Sequence, residues 1–345
     1  FIIQSTKAYK LMISIAINGF GRIGRRVFRL ALENPSIEIV AINDIADAYT
    51  LSHLLKYDSI HGVLKNDVSY LKNAIVVNDI AIPLLNEKDI SNIDWRPFKP
   101  DFVIESTGKF KEKKQLQHHI SNGAKQVILS VPPVEDNIKT IVLGVNQDSI
   151  KGDEVIISNA SCTSNNAAPM IDLIHQNFGV KQAYITTIHS YTTDQSLHDQ
   201  PHRDLRRARA AGQSIVPTTT GAAKALTKIF PDLADFIGGC GIRVPVANGS
   251  LTDITFNVEK TVDIYSINAI FKKASETHLK GILQYTEDPI VSIDIIGNTH
   301  SCIFDSQMTS VIGDMVKIIG WYDNETAYSQ RLLELTCNLS EKNKL

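Results

Sequence analysis

The residue with the most chemical promise is Cys162, in the stretch SNASCTSNN at residues 158–166, just ahead of an apolar run at 167–178 that reads as a helix. Small polar neighbours and a helix start favour a thiolate, because the helix dipole and its free first-turn N–H groups stabilise negative charge. A thiol attacks well only when something takes its proton. His189, at the end of an expected strand over 183–188, is the candidate acceptor. Cys240, Cys302 and Cys337 lie in apolar or Gly-rich runs and read as small core residues. No Cys or His spacing matches a zinc site, so no metal is expected.

A second pattern concerns nucleotides. Gly19-Phe20-Gly21-Arg22-Ile23-Gly24 fits G-x-G-x-x-G between an apolar strand and an amphipathic helix. Gly19 allows the tight turn, Gly21 lets backbone approach a pyrophosphate, and Gly24 lets helix and strand pack closely. The backbone N–H groups of Arg22 and Ile23 then face phosphate from a helix N-terminus. Asp44 stands 20 residues after Gly24. A carboxylate there accepts from the adenosine ribose and repels a 2′-phosphate, which favours NAD over NADP.

The third pattern is a set of anion-binding pieces. Arg203, Arg206, Arg207 and Arg209 crowd HRDLRRARAA, in a chain with 35 basic and 37 acidic residues and a net charge of −2. There are no interleaved aromatics of the kind single-stranded nucleic acid requires, so nucleic acid is not indicated. Thr219, Thr220 and Gly221 open a helix in PTTTGAAKA, and Arg243, Thr192 and Asp194 are further candidates. A nucleotide turn, a polar thiol and two phosphate-like sites together point to redox chemistry on a phosphorylated substrate.

These residues need a scaffold of about two domains, given 345 residues of which 43% are hydrophobic. No apolar run is long enough to span a bilayer, and the sparse cysteines read as reduced thiols in a cytoplasmic protein. Up to residue 160 short apolar runs alternate with helical patterns: 13–18, 37–43, 102–105, 126–130, 140–145 and 154–158 as strands, 22–34 and 109–121 as helices. That predicts parallel βαβ units of Rossmann type. Beyond residue 160, runs at 180–188, 251–260, 291–295 and 315–321 alternate polar and apolar, which predicts a mostly antiparallel sheet with a helix over 264–279. Residues 191–216 have no regular pattern, and 325–338 reads as a terminal helix. The expected division is 12–160, completed by the helix at 325–345, and 161–324. Residues 1–11 read as an upstream extension or cloning remnant.

Taken together, INGFGRIGR at 17–25, ASCTSNN at 160–166, HSYTTDQ at 189–195, DLRRARAA at 204–211, TTTGAAKA at 218–225, RVPV at 243–246 and WYDNE at 321–325 resemble the phosphorylating, NAD-dependent glyceraldehyde-3-phosphate dehydrogenase family of bacterial type. The similarity runs from about residue 12 to the C-terminal helix. It implies Cys162 as nucleophile and His189 as base. It implies that Ser161, Thr163, Thr220, Gly221 and Arg243 hold phosphate groups, with Thr192, Asp194 and Arg207 nearby. Asn324 would bond the nicotinamide carboxamide with Tyr328 beside it, and Lys88, Thr107 and Ser130 would line the two ends of the NAD site. Pro201 fits the NAD-preferring form. The resemblance also implies a homotetramer acting on a small phosphorylated aldehyde with inorganic phosphate. Asn166 stands where many members carry a second Cys. Rival readings are the same chemistry on erythrose 4-phosphate, a cysteine hydrolase with a structural nucleotide, and a catalytically silent NAD- or RNA-binding regulator.

Overall fold

The computed structural model describes residues 12–342; the expectation for residues 1–11 lies outside them. The N-terminal half builds a nine-stranded sheet from β1 (Ile13–Asn18), β2 (Ile37–Asn43), β3 (Val68–Leu71), β4 (Ala74–Val77), β5 (Ile80–Leu85), β6 (Phe102–Glu105), β7 (Gln126–Leu129), β8 (Lys139–Thr140) and β9 (Ile156–Ser158), in the order β8-β9-β7-β6-β1-β2-β5-β4-β3. Six of its eight pairings are parallel. The central strands β1, β6, β7 and β9 are buried on both faces because both faces are covered. Ile13, Ile15 and Ile17 of β1 join the core under helix α1 (Arg22–Ala31), while Ala16 faces Trp95 and Leu116 on the other side. β6 divides the same way, Phe102 and Ile104 against Val103.

The second sheet contains β10 (Val180–Ser190), β11 (Val216–Thr218), β12 (Ile237–Val244), β13 (Ser250–Val258), β14 (Leu283–Thr286), β15 (Cys302–Asp305), β16 (Ser310–Ile312) and β17 (Met315–Tyr322). Its order is β11-β12-β10-β13-β17-β15-β14, with β16 on β17. Five of its seven pairings are antiparallel. β13 alternates buried and half-buried residues along its whole length, as a sheet with one covered face demands. The covering helices are α4 (Cys162–Phe178), α5 (Gly221–Ile229) and α6 (Ile264–Glu276), and Phe271 of α6 stacks on Phe304 of β15 at 3.9 Å between ring centroids. α2 (Ala48–Lys56) and α3 (Lys113–Ser121) belong to the first half. α7 (Thr326–Lys342) returns to it, where Leu332, Leu333, Leu335 and Leu339 share a core with Val27 and Phe28 of α1. No helix among the described residues is long and apolar enough to cross a membrane.

The structure corrects several expectations about elements. The 140–145 run is a strand only at Lys139–Thr140; beyond it, Asn146 Oδ1 and Gln147 Oε1 take the Val142 and Gly144 amides that a ladder would have used. Residues 291–295 are not a strand: Ser292–Ile295 form a short 3₁₀ turn in which Asp294 accepts the Val291 amide. Helix α3 begins at Lys113 rather than 109, capped by Glu112 and Gln115. Strands β3 to β5, β11, β12 and β14 to β16 were not expected.

The turn at Gly19–Gly24 is under a hard steric constraint. Gly19 has φ +92°, and a Cβ on Gly24 would stand 2.2 Å from the Gly19 carbonyl oxygen. Gly24→Ala is therefore expected to cost about 1–3 kcal/mol, read as a fall of about 2 °C or more in thermal midpoint. An unchanged midpoint would show that the turn has slack this packing denies.

Candidate active site

Cys162 is the first residue of α4. Ala160, two residues earlier, has φ +53°, the left-handed region that a residue with a Cβ seldom enters. This sharp turn takes the chain from β9 into α4. Ser161 then caps the helix, its hydroxyl accepting from Ser164 N at 3.1 Å. Asn165 Nδ2 donates to the Asn159 and Ser161 carbonyls at 2.9 and 3.0 Å, tying the turn from behind. Asn166 is fully buried and donates to Ser301 O and Trp321 O, so it fastens α4 to the second sheet.

His189 arrives from β10. Its Nε2 lies 3.5 Å from Cys162 Sγ, and its Nδ1 lies 2.7 Å from Ser190 O. That carbonyl can only accept and the Arg243 guanidinium, 3.0 Å from the same Nδ1, can only donate; the tautomer with its proton on Nδ1 satisfies the shorter contact and leaves the Nε2 lone pair facing sulfur. Arg243, the register partner of His189 across β10 and β12, also donates to Ser190 O and stands 3.0 Å from Nδ1. Burial pushes the Cys162 thiol up, while the Arg243 charge pulls it back. Burial, and then Arg243, push His189 down. Each direction concerns one charge alone in a dry pocket, a cost that an expectation based on the helix start leaves out. Moving the proton from Sγ to Nε2 changes no net charge, and the sulfur so ionised faces Arg243 and the start of α4.

The same cleft is lined by Ser161, Thr163, Arg207, Thr220, Gly221 and Arg243, together with Pro132, Thr187, Thr219, Ala222 and Gly241. Arg207 is fixed by Asp194, by Thr218 Oγ1 at 2.9 Å and by Thr219 O at 3.1 Å. Thr220 caps α5, accepting from Ala222 N at 3.2 Å. Thr192 and Asp194 are not on the lining: Thr192 reaches Arg243, and Asp194 is occupied with Arg207. The sequence reading missed Thr187 and Tyr322. Thr187 sits two residues before His189 on one strand, and strand periodicity alone would place it on the same face. Tyr322 Oη bridges Thr163 and Thr187 at 2.9 Å each, with its ring edge-on to His189.

A second groove is lined by Asn18, Gly19, Gly21, Asn43, Asp44, Glu87, Lys88, Ser106, Thr107 and Lys109. Its chemistry fits a dinucleotide. A Cβ at Gly21 would meet nothing within 4 Å, so backbone there borders open space. Arg22 N and Ile23 N are among the orphan donors that open α1. Asp44 accepts from Phe20 N at 2.7 Å and Ala46 N at 3.0 Å, and a carboxylate keeps further lone pairs for a ribose. Ser130 is buried at the end of β7 and does not line this groove; its amide donates to Glu105 O. Asn324 Oδ1 accepts from the Ser190 and Ser250 hydroxyls at 2.9 Å each, which leaves its amide NH₂ with bonds to give. Tyr328 is buried, its hydroxyl donating to Ala160 O at 3.2 Å. Among the described residues no group of three or more His, Cys, Asp or Glu could hold a metal ion.

Replacing His189 by Asn removes the acceptor facing Sγ. Alkylation of Cys162 by iodoacetamide at pH 7, followed by peptide mass, is expected to slow about 10-fold or more. An unchanged rate would take His189 out of thiol activation.

Two family models match the chain: the NAD binding domain of glyceraldehyde 3-phosphate dehydrogenase over residues 13–113, and the C-terminal domain of that enzyme over 161–324. Curated glyceraldehyde-3-phosphate dehydrogenases are similar over nearly the full length. The one from Geobacillus stearothermophilus is 49% identical over 334 residues, 96% of this chain and 99% of its own. Glyceraldehyde-3-phosphate dehydrogenase 2 of Streptomyces avermitilis is 51% identical over 329 residues, 94% and 98% of the two chains. The Thermotoga maritima enzyme is 49% identical over 326 residues, again 94% and 98%. With both halves matched and about half of all aligned positions identical, the chain belongs to the glyceraldehyde-3-phosphate dehydrogenase family.

Proposed function

We propose that the chain oxidises D-glyceraldehyde 3-phosphate to 1,3-bisphosphoglycerate with NAD and inorganic phosphate, through a covalent intermediate on Cys162. The observation that carries this reading is the 3.5 Å contact of Cys162 Sγ with His189 Nε2, in a cleft that also holds Arg207, Thr220, Gly221 and Arg243.

Sγ adds to the aldehyde carbon as its proton passes to Nε2. The carbonyl oxygen takes that proton back, giving a thiohemiacetal. Its oxyanion, while it exists, is stabilised by the protonated imidazole and by the backbone N–H of Cys162. His189 then accepts the hydroxyl proton as the carbon gives up hydride. Bound NAD supplies the two-electron acceptor for that hydride. The carbon is now a thioester on Cys162, which keeps the oxidation energy as an activated acyl group. Phosphate oxygen attacks that carbon, the carbon–sulfur bond breaks with its electron pair on sulfur, and the acyl phosphate leaves.

Two phosphate positions are required, one for the substrate and one for the attacking anion. Ser161, Thr163, Thr220, Gly221, Arg207 and Arg243 would supply their donors, with Thr192 and Asp194 holding the two arginines in place. Gly19, Gly21, Arg22, Ile23 and Asp44 would hold the dinucleotide at its phosphate and adenosine end with Lys88 and Thr107, and Asn324 at the carboxamide with Tyr328 behind it. The working division is then 12–160, closed by the helix from 325 onward, for the dinucleotide, and 161–324 for thiol chemistry. The setting we infer is cytoplasmic, in keeping with four free cysteines, and homotetrameric. An apolar patch on the second sheet, where Tyr184 and Phe236 stand about half exposed, supports association.

Cys162→Ser is expected to lower phosphate-dependent NADH formation by about 10³-fold or more, with the NAD dissociation constant within about threefold of the parent. Retention of most activity would sink the nucleophile assignment. Asp44→Gly is expected to cut the preference for NAD over NADP about 10-fold in kcat/KM. It should also weaken NAD itself, because the Phe20 and Ala46 amides lose their acceptor. An unchanged ratio would remove Asp44 from cofactor choice.

A further inference from the structure

Side chains from three distant segments meet at the start of α1. Arg22 makes a two-pronged contact with Asp58, Nη1–Oδ2 2.7 Å and Nη2–Oδ1 3.1 Å. It makes a second with Glu325, Nε–Oε1 2.8 Å and Nη2–Oε2 2.5 Å. Asp58 also accepts from the Ile60 and His61 amides, and His61 Nε2 stands 2.9 Å from Glu325 Oε2. Little water reaches these groups: the side chains of Asp58, His61 and Glu325 are 7%, 4% and 10% exposed. Burial opposes the charge on Glu325, but bonds from His61 and Arg22 outweigh it and hold the carboxyl below its usual range. This is a fork-on-fork charge contact in a poorly solvated place, the arrangement that fixes geometry best.

The position of Glu325 in the chain gives the contact its meaning. Glu325 follows Asn324 directly, and Asp323 Oδ1 accepts both the Glu325 and Thr326 amides, so the segment entering α7 is rigid. Arg22 opens α1 within the Gly19–Gly24 turn, where Arg25 N donates to Gly21 O. One guanidinium–carboxylate contact thus joins two stretches 303 residues apart.

We propose that Glu325 is a positioning residue for the dinucleotide: its contact with Arg22 sets the separation between the pyrophosphate turn and Asn324, so that both ends of one ligand are engaged together. The proposal rests on the functional reading above, which assigns those ends. A ligand held at two ends gains from the second contact only when the spacing of the two sites matches its own length. Loosening the spacing removes that gain without removing either site.

The test measures dissociation constants by calorimetry, with no aldehyde present, for NAD and for ADP-ribose, which lacks the nicotinamide end. For Glu325→Gln, NAD is expected to weaken about 10-fold and ADP-ribose less than about twofold, because Arg22 keeps Asp58 and the phosphate turn stays built. The rate of Cys162 alkylation in the nucleotide-free protein checks that the fold is intact. If Glu325→Gln does not fold, Glu325→Asp keeps the charge but draws it back from Arg22 while leaving the Arg22–Asp58 contact whole, and the same split between ligands is expected. Equal affinities in variant and parent, or equal weakening of both ligands, would overturn the positioning role. Failure of the parent chain to bind NAD at all would instead overturn the functional reading, and this inference with it.

Discussion

The structure depends on holding one thiol and one imidazole, from different elements, within a proton's reach. Their separation of 27 residues follows from how a helix and a strand return on each other. α4 is 17 residues long, roughly 25 Å at 1.5 Å per residue. His189 stands nine residues along the strand from Val180, about 30 Å at roughly 3.3 Å per residue. The chain leaves Cys162 along the helix, reverses at Gly179, and comes back along β10 by almost the same distance. His189 therefore ends beside the start of α4. The left-handed turn at Ala160 is the local strain that lets the helix begin with Cys162 at its mouth.

The sheet supplies the rest of the cleft by register. His189 pairs with Arg243 across a parallel ladder, and Arg243 pairs in turn with Val216 across an antiparallel one. Two steps sideways from the imidazole therefore reach the strand that leads into Thr218, Thr219 and Thr220 and the start of α5. Imidazole, guanidinium and the threonine segment thus sit on, or directly after, three neighbouring strands of the sheet. The electrostatics follow from that proximity. Burial opposes charge on both groups, and the guanidinium next to the imidazole and near the sulfur then lightens that cost on the sulfur and adds to it on the ring.

Much of this was legible in the residues. The strand–turn–helix around Gly19–Gly24 has a strong pattern because Gly19 and Gly24 answer steric demands inside the fold and Gly21 borders the open groove. Cys162 is marked as a helix start by its small polar neighbours and the apolar run that follows them. What stayed hidden has specific causes. β12 reads IGGCGIRV, a poor strand by propensity, yet Gly239 must be bare because a Cβ there would stand 2.7 Å from Ile185 O on β10. The meander of β3 to β5 turns at Asn78 and Asp79, both with positive φ, a two-residue hairpin signal that was present in the sequence but masked by the apolar residues around it. The Arg22–Glu325 contact was invisible because nothing in a linear pattern relates positions so far apart. Thr192 and Asp194 are tied to the two arginines of the cleft, contacts that a linear pattern does not show; Thr192 accepts from Arg243 and so keeps its hydroxyl proton to give.

Beneath the dinucleotide groove lies a buried polar chain that explains how the groove keeps its shape without ligand contacts. Trp95 Nε1 donates to His119 Nδ1 at 2.9 Å, so the His119 proton sits on Nε2 and is given to Glu105 at 3.1 Å. Glu105, with no exposure at all, also accepts from Asn18 Nδ2 at 2.5 Å and from the Thr107 amide and hydroxyl. Asn43 donates on to Asn18 Oδ1 at 2.7 Å. A fully buried carboxylate is tolerable only when its lone pairs are met, and here four donors meet them. Asn18, Asn43 and Thr107 are themselves on the groove wall. The charge is thus the hub that fixes three wall residues on three strand ends, and the cost of burying it is repaid by a groove whose walls cannot shift one at a time.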